Sequence, residues 1–130
     1  MDTRSKIISL NRAGELVPSL AEKGGDVVVA CGCFDLLSAE HCRRLARAKE
    51  TGKYLVAAVY ADKDPQETVF NQSARAQMVA GLAVVDYVVI CDQAQTERPV
   101  SSWRPTAVVD ADPIPSRDVI GDVLQRYSAD

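Results

Sequence analysis

The residue types best suited to chemistry are concentrated in one segment, which runs from Cys31 to His41. It carries two thiols, a carboxylate at Asp35, a hydroxyl at Ser38 and the one histidine of the chain. A glycine that follows a strand and precedes a helix lets backbone N–H groups face a phosphate. Gly32 has this position, but a single glycine is also ordinary turn chemistry, so the segment alone is a weak indication of a phosphate site.

Four residues in and beside this segment have zinc-type ligand atoms: Cys31, Cys33, His41 and Cys42. The single residue between the first two cysteines is fewer than the usual two to four. No basic start followed by an apolar run opens the sequence, so we expect no secretory signal and reduced thiols that pack as small apolar side chains. We therefore predict no metal site here.

Several polar residues allow two interpretations each. His41 either donates to a phosphate or bonds to the backbone at a helix start. Arg75 either binds a ligand phosphate through two N–H groups or is a solvated or ion-paired helix residue. Asp35 is better suited to capping a turn than to acid/base chemistry. Asp110 and Asp112 could bind a cation together, although loop carboxylates are usually only polar loop residues.

The elements that position these residues are indicated by apolar patterning. Four apolar, β-branched runs predict buried strands: Asp26–Cys31, Tyr54–Tyr60, Asp86–Ile90 and Thr106–Asp110. Four stretches predict helices: Ile8–Lys23, Ala39–Thr51, Gln72–Val84 and Arg117–Tyr127. Pro18 lies inside the first of them and favours a break or a late start there.

Alternating strands and helices are typical of right-handed βαβ units. We predict one domain over residues 1–130, an α/β doubly wound, Rossmann-like fold with a mostly parallel sheet and helices on both faces. Ligands of such sheets bind beyond the carboxyl ends of the strands. Those ends are followed by residues 32–41, 61–64, 91–92 and 110–112. We expect the first of these loops to leave the central strand and line the main cleft.

Composition excludes several classes of protein. The 130 residues are 47% hydrophobic and 25% charged, with a net charge of −3, which is ordinary for a globular domain and unlike a disordered chain. The charges form no basic stripe, which argues against nucleic acid and anionic membranes as partners. No apolar run approaches the ~20 residues of a membrane helix. We expect a cytoplasmic protein.

The order of short motifs resembles a known family. Residues 32–37 read G-C-F-D-L-L and are followed by His41, similar to the G-x-F-D-x-x-H-x-G-H motif of the cytidylyltransferase-like nucleotidyltransferases. Further likenesses lie at residues 7–10, 52–62, 75–89 and 104–109. Within this superfamily the chain is most similar to heptose 1-phosphate adenylyltransferases and glycerol-3-phosphate cytidylyltransferases.

The resemblance implies roles for particular residues. His41 and Ser38 occupy the positions of the catalytic histidines, and Asp62 and Lys63 would contact the acceptor substrate. The nucleotide-contacting positions are Gly32, Cys33, Phe34, Asp35, Glu40 and Arg75. The resemblance also implies a nucleotide or small phosphorylated ligand, Mg²⁺ if the protein is active, and a homodimer.

Two positions depart from the motif. Ser38 replaces its first histidine and Glu40 replaces its glycine. The loss of one donor to the transition state typically costs about 3 kcal/mol, and a carboxylate 4 Å from a phosphate charge adds roughly 4 kcal/mol of repulsion at an effective dielectric constant of 20. The family's basic loops are also shortened or missing. The sequence therefore favours a catalytically impaired relative over an active adenylyl- or cytidylyltransferase with a variant site.

Overall fold

Strands form where the chain carries its apolar, β-branched runs. The structure is a computed structural model that describes residues 2–93 and 96–112. Its strands are β1 (Ile7–Ile8), β2 (Val27–Gly32), β3 (Tyr54–Tyr60), β4 (Tyr87–Cys91) and β5 (Ala107–Asp110). Its α-helices are α1 (Leu10–Glu22), α2 (Ala39–Glu50), α3 (Gln72–Ala80) and α4 (Glu97–Ser102), and a short 3₁₀ helix covers Thr3–Lys6.

The five strands form one parallel sheet in the order β1-β4-β3-β2-β5. From β2 the chain winds outward through β3 to β4, and then returns to place β5 on the other side of β2. The winding direction therefore reverses between β2 and β5, which is where doubly wound sheets open a crevice at their carboxyl edge.

Alternate residues of the strands build a separate core on each face of the sheet. Val28 and Ala30 of β2 pack with side chains of α2 and α3, whereas Val27 and Val29 pack with α1 and α4. Because a strand turns successive side chains to opposite faces, a run of four fully buried residues requires cover on both sides. The predicted doubly wound α/β fold is confirmed.

The prediction of a break or late start at Pro18 was wrong, because α1 runs through this residue. Ser9 starts the helix by accepting a hydrogen bond from the Arg12 N–H. Ala13 and Val17 are fully buried against the sheet. This burial and the cap offset the backbone hydrogen bond that Pro18 cannot donate.

Helix α3 is shorter than predicted, since it ends at Ala80 rather than near Val84. Gly81 closes it by donating to the carbonyl of Gln77 at 3.2 Å, and the chain then turns toward β4. Strand β1, helix α4 and the 3₁₀ helix were not predicted, because each is too short to show a periodic pattern.

Two further predictions concern strand order and the chain's end. The middle strand of the five described is β3, so β2 is an interior strand but not the central one. The helix predicted at Arg117–Tyr127 lies outside the described residues. Within the part of the chain that the structure describes, no helix is long and apolar enough to cross a membrane.

We expect Pro18→Ala to raise the free energy of unfolding by about 1 kcal/mol or more, because alanine restores the helical N–H donor. Urea unfolding of the two proteins measures the difference. Ser19→Ala is the matched control in the same turn and should change stability by less than about 0.5 kcal/mol. An unchanged or lower stability for Pro18→Ala would show that the proline does not weaken α1.

Candidate functional site

The loop after β2 leaves the sheet in an unusual backbone conformation. Phe34 has φ of 55°, in the left-handed region that non-glycine residues rarely adopt. Its side chain is fully buried, and its ring centroid lies 5.7 Å from that of His41. Burial of the ring offsets the strain of this turn at the carboxyl edge of the sheet.

Ser38 and His41 together start α2 with a capping box. The Ser38 hydroxyl oxygen accepts from the His41 backbone N–H at 3.3 Å, and the Ser38 backbone N–H donates to His41 Nδ1 at 3.1 Å. A backbone N–H can only donate, so Nδ1 is an acceptor and the proton of the neutral ring lies on Nε2. The backbone-bonded interpretation of His41 describes this contact, while Nε2 remains directed at the crevice.

The crevice at this point holds a carboxylate that belongs to the chain itself. One oxygen of Asp112 accepts from the Cys33 backbone N–H at 2.8 Å, and the other lies 3.3 Å from the Phe34 nitrogen. The Nε2 atom of the buried His41 is 3.5 Å from the same carboxylate. Apolar patterning predicts Asp112 at the carboxyl edge but not these contacts, because they join residues 71 to 79 positions apart.

Glu40 lies on the first turn of α2 and binds two arginines of the same helix. Its carboxylate is 2.8 Å from Arg43 and 3.3 Å from Arg44. Hydrogen bonds from the two arginines hold the pKa of Glu40 below its usual range. The repulsion that we expected toward a phosphate is therefore weakened by two adjacent positive charges.

Arg75 is fully buried beneath the loop. Its Nη1 donates to the carbonyls of Cys33 at 2.7 Å and Tyr60 at 2.8 Å. Its Nε donates to the carbonyl of Phe70 at 3.0 Å, and its Nη2 to Asp62 at 2.8 Å. Four of the five N–H groups of the guanidinium thus bind the protein, and the side chain supports the site from below.

The predicted substrate residues separate in the structure. Asp62 faces α3, where its carboxylate accepts from the Gln72 backbone N–H and from Arg75. These hydrogen bonds, the one from Gln72 first, lower the pKa of Asp62. Lys63 is exposed. It lines a cavity of about 90 Å³ at the carboxyl edge, together with Cys33 and Tyr60.

Asp35 caps a neighbouring loop rather than its own turn. Its carboxylate accepts from the backbone N–H groups of Val69 at 2.9 Å and Phe70 at 3.0 Å. The contact fixes the segment before α3 against the loop after β2, so Asp35 orders one wall of the cavity. No sequence pattern predicts this contact of Asp35, because its partners are backbone N–H groups.

The thiols do not form a metal centre among residues 2–93 and 96–112, where no group of three metal-ligating side chains is close enough together. Burial raises the pKa of Cys31 to about 11 and also raises that of Cys33. Both side chains are therefore neutral thiols at physiological pH, which suits their packing role.

Taken together, the parallel sheet and the reversal of winding beside β2 define a doubly wound, Rossmann-like α/β domain. A sequence model of the cytidylyltransferase-like family matches residues 29–127, which is most of the chain. The chain belongs to this family.

Curated relatives and a solved structure agree with that assignment. The chain is 29% identical over 133 residues to the bifunctional protein HldE of Geobacter metallireducens and 35% identical over 119 residues to that of Campylobacter concisus. These alignments cover 97% and 86% of this chain, but only 27% and 25% of the relatives. A lipopolysaccharide core biosynthesis protein from Thermoplasma volcanium superposes with a TM-score of 0.60 at 26% identity, covering 65% of this chain and 73% of that one.

The burial of Arg75 predicts a large loss of stability on its removal. We expect Arg75→Met to lower the free energy of unfolding by about 3 kcal/mol or more, because it leaves three carbonyls and a carboxylate without their donor. Urea unfolding measures this loss. Arg43→Met removes an exposed, ion-paired arginine and should cost less than about 1 kcal/mol. Equal losses in the two variants would contradict the supporting role of Arg75.

The lowered pKa of Asp62 predicts a contribution to acid sensitivity. The ionised form is favoured in the folded state, so its stabilisation is present above the unfolded pKa and is lost as pH falls through the folded value. Asp62→Asn should therefore show a flatter fall in stability below about pH 4 than the native protein. Urea unfolding at a series of pH values tests this. Glu67→Gln, in the same exposed loop, is the control and should keep the native slope.

Proposed function

We propose that this chain is a catalytically impaired nucleotidyltransferase-like protein that binds a nucleotide or a small phosphorylated ligand at the carboxyl edge of its sheet. The observation that carries the proposal is the use of Ser38. Where the family motif has a histidine, Ser38 caps α2 and bonds to His41. A hydroxyl in this position supplies no positive charge to a phosphate and serves the fold.

The chemistry of nucleotidyl transfer explains why this change matters. A phosphate attacks the α-phosphorus of a nucleoside triphosphate in line, and the protein supplies alignment and groups that stabilise the developing negative charge. Among the described residues around the loop, Arg75 is engaged by the protein and His41 faces a carboxylate. These contacts support binding without efficient turnover.

The ligand class follows from the relatives. The family, the HldE proteins and the lipopolysaccharide core biosynthesis protein support a nucleoside triphosphate or a sugar phosphate as the molecule recognised. Mg²⁺ accompanies such ligands through oxygen contacts, but Asp112 uses both oxygens for hydrogen bonds and the described residues hold no metal-ligating cluster. The residues present do not form a ready Mg²⁺ site.

The alternative is an active adenylyl- or cytidylyltransferase with a variant site. One observation favours it, because His41 is retained and its Nε2 atom is directed at the crevice. In such an enzyme His41 would donate to the phosphates, with Lys63 on the cavity wall available to an acceptor. The two hypotheses differ in whether the native chain releases pyrophosphate.

We expect no pyrophosphate release by the native protein with ATP or CTP, Mg²⁺ and a sugar phosphate, and a measurable gain in nucleotide affinity in the double variant Ser38→His/Glu40→Gly. The added histidine supplies a donor, and the lost carboxylate frees Arg43 and Arg44. The gain should exceed that of either single change, because both positions act on one ligand. Calorimetric titration and a pyrophosphate assay measure the two outcomes.

Glu50→Gly is the matched control, because it removes a carboxylate from the far end of the same helix. The changes at Ser38 and Glu40 remove a cap and add a helical glycine, at a cost of about 1 kcal/mol each, so circular dichroism must first show that the variants are folded. Robust turnover by the native chain, damaged by the double change, would replace the proposal with the active-enzyme alternative.

A further inference from the structure

A side chain of the protein itself, Asp112, occupies the place where the sheet reverses its winding. Ligands of doubly wound sheets bind in the crevice between the two strands at the reversal. Here these strands are β2 and β5, and Asp112 follows β5 by two residues. Its carboxylate lies on the N–H groups of the loop that follows β2.

The contacts of this carboxylate are those that a phosphate would make. Cys33 donates to both oxygens, at 3.0 and 2.8 Å, and the Phe34 N–H lies 3.3 Å from one of them. His41 Nε2 is 3.5 Å away, at the start of the twelve-residue helix α2. Backbone donors and a helix N-terminus favour any anion, and a carboxylate supplies acceptor oxygens of the same kind as a phosphate.

Two hydrogen bonds hold the backbone that carries this carboxylate beside the loop. The Ala111 N–H donates to the carbonyl of Cys31 at 2.8 Å, which extends the β2–β5 ladder to this residue. The Asp112 N–H donates to the Asp110 carboxylate at 3.1 Å. At Gly32 a Cβ atom would lie only 2.7 Å from the Asp112 oxygen, so the absence of a side chain permits the close approach.

We propose that Asp112 is an internal anion that competes with external phosphate for the loop, and so sets the ligand affinity of this site. The inference rests on the proposed function, in that the crevice is taken to be the phosphate site. A ligand gains the N–H groups only in the fraction of molecules in which the carboxylate has moved away. Its apparent dissociation constant is the intrinsic one divided by that fraction.

The Asp112 side chain is partly open to solvent. It is 30% exposed, whereas His41 beneath it is 8% exposed. Displacement of the carboxylate therefore transfers an anion to water and leaves the packed ring of His41 where it is. The N–H groups of Cys33 and Phe34 therefore stay in place, while an external anion can replace the Asp112 carboxylate as their acceptor.

The test compares Asp112→Asn and Asp112→Ala with the native chain by calorimetric titration of pyrophosphate, CTP and ATP. Removal of the charged acceptor should tighten binding of all three by at least about tenfold, the effect of one charge-assisted hydrogen bond. Pyrophosphate should shift the NMR signals of the Cys33 and Phe34 amides in the variants and much less in the native protein. Folding of each variant is checked by circular dichroism.

Glu67→Gln is the matched control, because it removes one negative charge beside the cavity that Cys33 lines without touching the loop donors. An equal gain in affinity from Glu67→Gln would assign the effect to long-range charge and overturn the inference. Unchanged or weaker binding by folded Asp112 variants would overturn it too and leave Asp112 a support of the loop. Turnover by the native chain would contradict only the proposed function. The inference about Asp112 is tested separately, by the ratio of ligand affinities between the variants and the native chain.

Discussion

The guanidinium of Arg75 is the interaction on which the carboxyl edge of this protein depends. It binds the chain just after β2, the last residue of β3 and the segment before α3, through the carbonyls of Cys33, Tyr60 and Phe70. Loops at a sheet edge leave carbonyls without partners in the ladder, and burial makes such groups costly. One planar side chain satisfies three of them and fixes the relative positions of two strand ends.

The fold and the site differ in how far the sequence determined them. Apolar runs such as Val27–Val29 identify buried strands because burial on both faces has a local signature. The role of Arg75 has no local signature, because its partners are backbone carbonyls. Two of them lie 15 and 42 residues away, and the third lies in the loop before α3. Asp112 is similar, because its contacts reach back 79 residues and exist only after β5 has been placed beside β2.

Pro18 shows the opposite difference, because the local sequence predicts a helix break and the tertiary structure prevents it. Proline disfavours helix interiors in isolation, but α1 is held by its Ser9 cap and by two fully buried side chains. Structural context also changes the interpretation of residues 32–41, the segment that resembles the family motif. The family pattern predicts a nucleotide-contacting loop, and the hydrogen bonds of Ser38 and His41 show that these two positions form the capping box of α2.

The fixed tautomer of His41 has a consequence for chemical selectivity. With Nδ1 accepting from Ser38, the neutral imidazole presents only an N–H to the crevice, as do the backbone groups of Cys33 and Phe34. Among the described residues, the groups that contact the Asp112 carboxylate are donors, so an ammonium or amide N–H in its place would find no acceptor among them. The polarity of these contacts, rather than net charge, thus favours groups rich in lone pairs, such as phosphate, sulfate or carboxylate.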